Sequence, residues 1–374
     1  MIRILHRPNG NMDIGGRETF IMSIYRNIDR TKVQFDFVVN TESKSDYYDE
    51  IVALGGSIIC IPKHKGIIGR LKNMVEWERF LKKNANNYEA IHMHTASLLS
   101  IIPLVKSKKY GIKKRVIHSS SSNLLKTNIL NYIIKIIIHN VNKQLIDKYA
   151  THFFSCSNEA GVWLYNRRII KNQKARIINN GIEASKFVYN KEIRCSVRKD
   201  LGLNNKFVIG HVGRFHPVKN HNYLIDIFSE IYNKDKTAYL LLIGDGEEKI
   251  NVMNKVKNKG LSNVVKFLGK RDDIDRLMQS IDVFIFPSHF EGLGRVLIEA
   301  QASGLKIFAS SSITTETQIT SLIEYINLGQ SPNYWADRVM EIKGYSRESN
   351  ICKIIESGYD IKSVAKQLEE LYLS

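Results

Sequence analysis

Residues Asp282 to Ala302, DVFIFPSHFEGLGRVLIEAQA, constrain the fold more than any other stretch of this chain. Val283 to Phe286 is an unbroken β-branched and aromatic run closed by Pro287-Ser288, the pattern of a parallel strand buried on both faces. Leu293 to Ala302 changes to a helical period, with Val296, Leu297 and Ala300 at core spacing. A short loop carrying Glu291, Gly292 and Gly294 joins the two. A strand, a glycine loop and a helix in that order aim free backbone N–H groups and the positive end of a helix dipole at the carboxyl edge of a parallel sheet, where phosphates and polar ligands are bound. The loop therefore predicts a ligand site.

Glu291 and Glu299 sit eight residues apart. In one continuous helix they would be about 12 Å apart and about 80° apart around the axis, too far to grip one atom together. With Glu291 in the loop and Glu299 two turns into the helix, they can hold the two ends of an elongated polar ligand, the shape of a sugar nucleotide. A capping carboxylate and a solvated helix glutamate is the plainer alternative.

At 374 residues the chain exceeds what one core usually supports, so two domains are expected. The four cysteines are scattered with no C-x-x-C pair, which proposes neither a zinc site nor a redox dithiol and fits free thiols in a reducing cytosol. The N-terminus lacks the apolar run of a signal peptide, and the longest apolar run, Tyr132 to Ile138, is broken by Lys135, so a soluble or at most membrane-attached chain is expected. Residues 1–190 hold 30 Lys+Arg against 14 Asp+Glu, whereas residues 191–374 hold 25 against 23. Charge confined to one half predicts that one domain meets an anionic surface. No nucleic-acid motif or interleaved aromatic residues accompany it, which argues against nucleic acid.

Along the chain, strands at 2–5, Val33 to Val39, Ser57 to Ile61, Ala90 to Met93 and Lys114 to Ile117 alternate with helices at Glu18 to Arg26, Tyr47 to Leu54 and Ile68 to Asn84, predicting an α/β domain with a parallel sheet. Gly15-Gly16, at the first strand-to-helix turn, permits close backbone approach to a phosphate, though turns also use such pairs. His94 and His118 close two strands and are expected just past their carboxyl ends, pointing into the ligand cleft; a loop histidine satisfied by backbone is the alternative. Lys126 to Tyr149 is one long amphipathic pattern, readable as a core-facing helix, a membrane-surface helix or both. After a strand at Thr151 to Ser155 and another at Arg176 to Ile178, Asn179-Asn180-Gly181 is expected to be the hinge. The second half restarts at Phe207 to Val212. Gly213, Arg214 and Lys219 follow, and an arginine and a lysine five residues apart before a helix can reach one pyrophosphate. Further strands are expected at Tyr239 to Ile243 and Val265 to Leu268, the latter ending in Gly269-Lys270-Arg271. Asp272, Asp273 and Asp275 have the look of a metal-binding D-x-D but read better as acids at a helix start. Gln318 to Gly344 carries no readable pattern.

The Glu291/Glu299 stretch resembles the E-x7-E signature, usually EG(L/F)PxxxxE, of the retaining glycosyltransferase 4 family (glycosyl transferases group 1). The resemblance runs from Gly15-Gly16 through Val212-Gly213-Arg214 to the final helix, and is nearest to bacterial exopolysaccharide and capsular polysaccharide transferases. It implies a GT-B fold, two Rossmann-like doubly wound domains facing across a cleft: an acceptor-binding domain at 1–183 joined by the C-terminal helix 358–374, and a donor-binding domain at 184–357. It implies that Gly15, Gly16, Arg214, Lys219, Arg271, Gly292, Leu293, Gly294, Arg295 and Glu299 bind the donor, that His118 and Glu291 are catalytic, and that His94 and Ser119 lie on the acceptor side. The implied reaction is hexosyl transfer with retention from a nucleotide diphosphate sugar, with a UDP-sugar expected, to a lipid-linked glycan, without cofactor or metal, by a cytoplasmic enzyme peripheral on the inner face of the cell membrane. The chain departs from the pattern with Gly294 for proline, Arg295 after it, and Ser119-Ser120-Ser121 where a second histidine is common. A UDP-sugar 2-epimerase of the same architecture and a non-catalytic partner subunit are the competing readings. The lysines between Lys106 and Lys114 are the expected grip on anionic lipid.

Overall fold

In the computed structural model, residues 1–64, 66–120 and 129–374 are described; Ser121 and the Lys126 start of the amphipathic pattern lie outside them. The chain forms two compact units, Met1–Gly181 with Ile361–Ser374, and Ile182–Asp360. The crossings differ by a few residues from those expected, because the N–H of Ile182 donates to the Tyr359 carbonyl (2.8 Å) and Ile182 pairs with Asp360, which ties both to the second unit.

The first unit is built on seven parallel strands: β1 (Ile2–Arg7), β2 (Val33–Val39), β3 (Ile58–Cys60), β4 (Ala90–Thr95), β5 (Lys114–Ser119), β6 (His152–Ser155) and β7 (Ala175–Ile177). Their order, β3-β2-β1-β4-β5-β6-β7, reverses direction between β1 and β4. Each parallel pairing demands a crossover, and right-handed crossovers coat both faces with helices. One face buries the helix Gly16–Asn27 together with the C-terminal helix Ile361–Leu373, through Phe20, Ile24, Phe35, Leu368 and Tyr372. The other buries the helices Gly66–Asn84 and Ile102–Lys109 through Trp77, Leu81 and Leu104. The helix Ile102–Lys109 was not foreseen, although Pro103 in its first turn and three lysines in its last are ordinary helix-end signals.

The second unit holds β8 (Phe207–Val212), β9 (Ala238–Ile243), β10 (Val265–Gly269), β11 (Val283–Phe286), β12 (Lys306–Ser310) and β13 (Ile323–Ile326), in the order β10-β9-β8-β11-β12-β13. Here the reversal falls between β8 and β11. The β11 run is buried on both sides as its sequence predicts. The next helix starts at Arg295 rather than Leu293, because Gly294 adopts φ 77°, ψ 50°, a left-handed conformation that ends the loop; Leu293 is buried in the core instead. The 318–344 stretch contains β13 and the helix Pro332–Glu341, capped by the Ser331 side chain.

Leu368 belongs to the core of the first unit although it is only six residues from the chain end. Leu368→Ala should therefore destabilise that unit by about 2–5 kcal/mol and leave the second unit's transition in place. Two-transition chemical unfolding checks this; an unchanged first unit would contradict the assignment of the C-terminal helix.

Candidate active site

In the second unit the loops after β8 and β11 emerge side by side, because these strands flank the point where strand order reverses, the usual ligand crevice of an open α/β sheet. The loops are stitched together twice. The His289 N–H donates to the Val218 carbonyl (2.8 Å), and the Lys219 ammonium donates to Glu291 Oε1 (2.6 Å). Lys219 also lies over the Phe286 ring, 4.8 Å from its centre. Both partners of this ion pair are mostly screened from solvent, with side chains 20% and 12% exposed.

Every other predicted cation here also has a carboxylate partner. Arg214 Nη2 donates to Glu247 Oε2 (3.0 Å) on the loop after β9. Arg271 makes a two-pronged contact with Asp273 (2.7 and 2.6 Å). Arg295 Nε lies 3.2 Å from Glu299 Oε1, one helical turn along. Burial pushes the Glu299 carboxyl up from its ordinary range, against the pull of Arg295. Asp273 is thus engaged with Arg271 and Asp275 lies in the first turn of the helix Ile274–Ser280, so the aspartate run serves a helix start. The loops approach closely: a Cβ on Gly244 would stand 2.1 Å from the Gly213 carbonyl oxygen, so no side chain fits there. Glu247 was missed by sequence reasoning; its signal was the run Gly244-Asp245-Gly246-Glu247 at a strand end.

In the first unit Gly15 is extended and caps the helix Gly16–Asn27. A Cβ on Gly16 would meet nothing within 4 Å, so neither packing nor backbone conformation requires glycine there. His94 and His118 are not past their strands, as expected, but within β4 and β5, in register with each other. His6 and His92 are likewise in register on β1 and β4. Side chains two apart on a strand share a face, and the four imidazoles form one buried stack: ring centres are 4.2 Å apart for His92 and His94, 5.2 Å for His94 and His118, and 5.5 Å for His6 and His94. His6 Nδ1 is 3.3 Å from His94 Nε2, and His92 Nδ1 is 2.5 Å from the Tyr372 hydroxyl. His118 Nδ1 has no partner among the described residues. The Ser119 hydroxyl donates to the Ala160 carbonyl (2.8 Å) and is fully buried. His6 was missed because nothing in its own strand marks it as a partner of the H-x-H on β4. His6, His92 and His94 are the one group among the described residues whose donor atoms cluster as metal ligands would; His6 Nδ1 meets His94 Nε2 and His92 Nδ1 meets the Tyr372 hydroxyl, while His6 Nε2 and His92 Nε2 have no hydrogen-bond partner among those residues.

The lysine clusters expected to face lipid are largely engaged within the unit. Lys106 and Lys109 pair with Glu78, Lys108 donates to the Lys148 carbonyl (2.8 Å), and Lys114 donates to the Tyr372 carbonyl (2.8 Å). Among the described residues, no helix is long and apolar enough to cross a membrane.

Two Rossmann-like parallel sheets, each with a reversal of strand order, define the GT-B fold, and solved structures agree. The structure of Anabaena Alr3699/HepE in complex with UDP and glucose matches with a TM-score of 0.77 at 19% identity, covering 99% of both chains. Residues 195–324 match the model of glycosyl transferases group 1. EpsF of Bacillus subtilis (strain 168), itself a glycosyltransferase by provisional name, is 31% identical over 378 residues, covering 99% of this chain and 96% of its own. The UDP-Gal:alpha-D-GlcNAc-diphosphoundecaprenol alpha-1,3-galactosyltransferase of Escherichia coli is 25% identical over 346 residues, covering 88% and 86%. The chain belongs to the glycosyl transferases group 1 family.

Burial holds His6 and His118 down to about 3, with His92 and His94 also well below 6.5. The unfolded chain therefore binds more protons wherever the pH lies between these values and 6.5. Stability should be complete above about pH 6.5 and fall as the pH drops, by roughly 1.4 kcal/mol per histidine per pH unit. Denaturant midpoints at pH 7.5, 6.5 and 5.5 check this; equal first-unit stability at 7.5 and 5.5 would contradict a neutral stack.

Proposed function

We propose that the protein transfers a hexosyl group, with retention, from a UDP-sugar to a lipid-linked glycan acceptor during assembly of an extracellular or capsular polysaccharide at the inner face of the membrane. The observation that carries this reading is the Lys219–Glu291 contact across the reversal point, which brings a phosphate-binding cation and a sugar-binding carboxylate into one crevice. The UDP and glucose of the Anabaena neighbour support the donor. The name of the E. coli relative, which pairs a UDP-sugar with an α-linked product on a diphosphoundecaprenol carrier, supports retention and the acceptor class.

In this mechanism the bond between the anomeric carbon and the diphosphate oxygen breaks, the electron pair leaves with the diphosphate, and the acceptor hydroxyl forms the new bond as its proton passes to the departing phosphate. Arg214 and Lys219 exchange their carboxylate partners for the diphosphate and meet the charge that grows there, so electrostatic stabilisation carries the step and no metal is needed. Gly16, whose missing side chain serves nothing else in its unit, is the first unit's candidate for close backbone approach to a phosphate. Glu299 holds the ribose hydroxyls. Glu291, released by Lys219, faces the sugar. His118, on β5, keeps one nitrogen without a hydrogen-bond partner among the described residues and is the first unit's candidate for contact with a sugar hydroxyl.

The direct test incubates the purified protein with UDP-hexoses and a lipid-diphosphate glycan. The expected result is a glycan longer by one hexose, and interconversion of the UDP-sugar without transfer would replace the reading with an epimerase. Turnover should survive excess EDTA; loss restored by magnesium or manganese would contradict the electrostatic mechanism. Glu299→Ala should weaken UDP binding by roughly 10- to 100-fold, as loss of charge-assisted hydrogen bonds to ribose requires. Glu291→Ala should instead lower kcat while UDP affinity holds or rises, because Lys219 is then unpaired. Equal losses of UDP affinity in both variants would sink this division of roles.

A further inference from the structure

The helix Ile129–Leu145 is oriented opposite to an ordinary surface helix, which buries its apolar stripe. Leu130, Ile133, Ile134, Ile137 and Val141 recur at helical spacing on one side, and with Ile129 they are 46% to 80% exposed. The opposite side is polar and does the anchoring. His139 is buried, with Nδ1 accepting from the Leu98 N–H (3.1 Å) and its other nitrogen 3.2 Å from the Trp163 carbonyl. The Asn142 amide donates to the Leu98 carbonyl (2.6 Å), and Lys143 donates to the carbonyls of Val162 and Trp163 (both 2.8 Å). The polar face is fastened and the apolar face is left to solvent.

The sequence around the stripe is as one-sided in charge as the helix is in polarity. Between Glu89 and Asp147 there is no acidic residue and there are nine Lys or Arg. An apolar stripe on a stretch of chain that carries nine cations and no acid fits the boundary of an anionic bilayer, where acyl chains take the apolar side chains and headgroups meet the cations. A second copy of the same surface would set like charges against each other across a two-fold interface.

We propose that this stripe is the membrane-docking surface of the protein, inserted into the headgroup–acyl boundary of an anionic bilayer. The docking is carried by apolar side chains, with the lysines of 106–114 secondary because most of them are engaged inside the unit. This rests on the lipid-linked acceptor reading, since an enzyme working on such an acceptor must come to the bilayer.

The test is co-sedimentation of the whole protein with phosphatidylglycerol-containing vesicles and with phosphatidylcholine vesicles. The parent should bind the anionic vesicles and keep a measurable part of that binding at about 0.5 M salt, where exposed charges are screened within a few ångströms. Ile133→Glu with Ile137→Glu should reduce binding at least tenfold, and the milder pair Ile133→Asn with Ile137→Asn serves should the first unfold. Lys108→Glu with Lys113→Glu should reduce binding only a few-fold and only at low salt. UDP affinity and transfer to a detergent-solubilised short-chain acceptor should be unchanged in the isoleucine variants. The proposal is overturned by undiminished vesicle binding in the isoleucine variants, by no vesicle binding in the parent, or by a parent dimer that these substitutions dissociate. Absent transfer to the short-chain acceptor in the parent would instead overturn the acceptor reading, whatever the vesicles show.

Discussion

Parallel strands cannot be joined by tight turns, so every strand-to-helix loop of each sheet leaves at the same edge, and only where strand order reverses do two of those loops lie open beside each other. In the second unit that place lies between β8 and β11, and the Lys219–Glu291 ion pair spans it. Arg214, Arg271 and Arg295 repeat the arrangement with Glu247, Asp273 and Glu299. Four cations and four carboxylates make a neutral edge. Such an edge keeps its charges ordered without a ligand and offers a diphosphate preplaced cations at the cost of partner exchange. Lys219 is the informative case, because in the proposed mechanism its exchange would both gain a phosphate contact and free Glu291.

The same constraint in the first unit gives a different chemistry. The reversal between β1 and β4 brings His6 beside His94, and the neighbouring strand adds His118. Burial keeps these rings neutral, and the hydrogen bond between His92 and the Tyr372 hydroxyl ties the C-terminal helix to the sheet. The helix Ile129–Leu145 of the same unit is fastened through His139, Asn142 and Lys143 and leaves Ile133, Ile134 and Ile137 exposed.

Much of this was legible in the sequence. Val283 to Phe286 reads as a doubly buried strand because nothing but a parallel interior tolerates such a run. Arg214 and Lys219 stand out in the sequence because they fall between a strand and a helix, and the structure sets each against a glutamate at the strand-end loops. What the sequence hid were relations between distant segments. Glu247, His6 and Tyr372 acquire roles only through register and crossover, and no local pattern records that. The helix start at Gly294 was hidden because the apolar period runs through Leu293, while the left-handed turn depends on one backbone angle. Pro103 and Ser331-Pro332 did carry helix-start signals, and the amphipathic run from Ile129 showed its two faces but not which one the sheet would take.

The account stands on the claim that the edge between β8 and β11 binds the diphosphate of a nucleotide. Isothermal titration of UDP and UMP into the protein and into its Arg214→Met, Lys219→Met variant measures that claim. The account predicts that UDP loses at least about 100-fold in affinity, as two charge-assisted contacts to the phosphates imply, while UMP loses far less. Equal losses for UDP and UMP, or undiminished UDP binding, would contradict it.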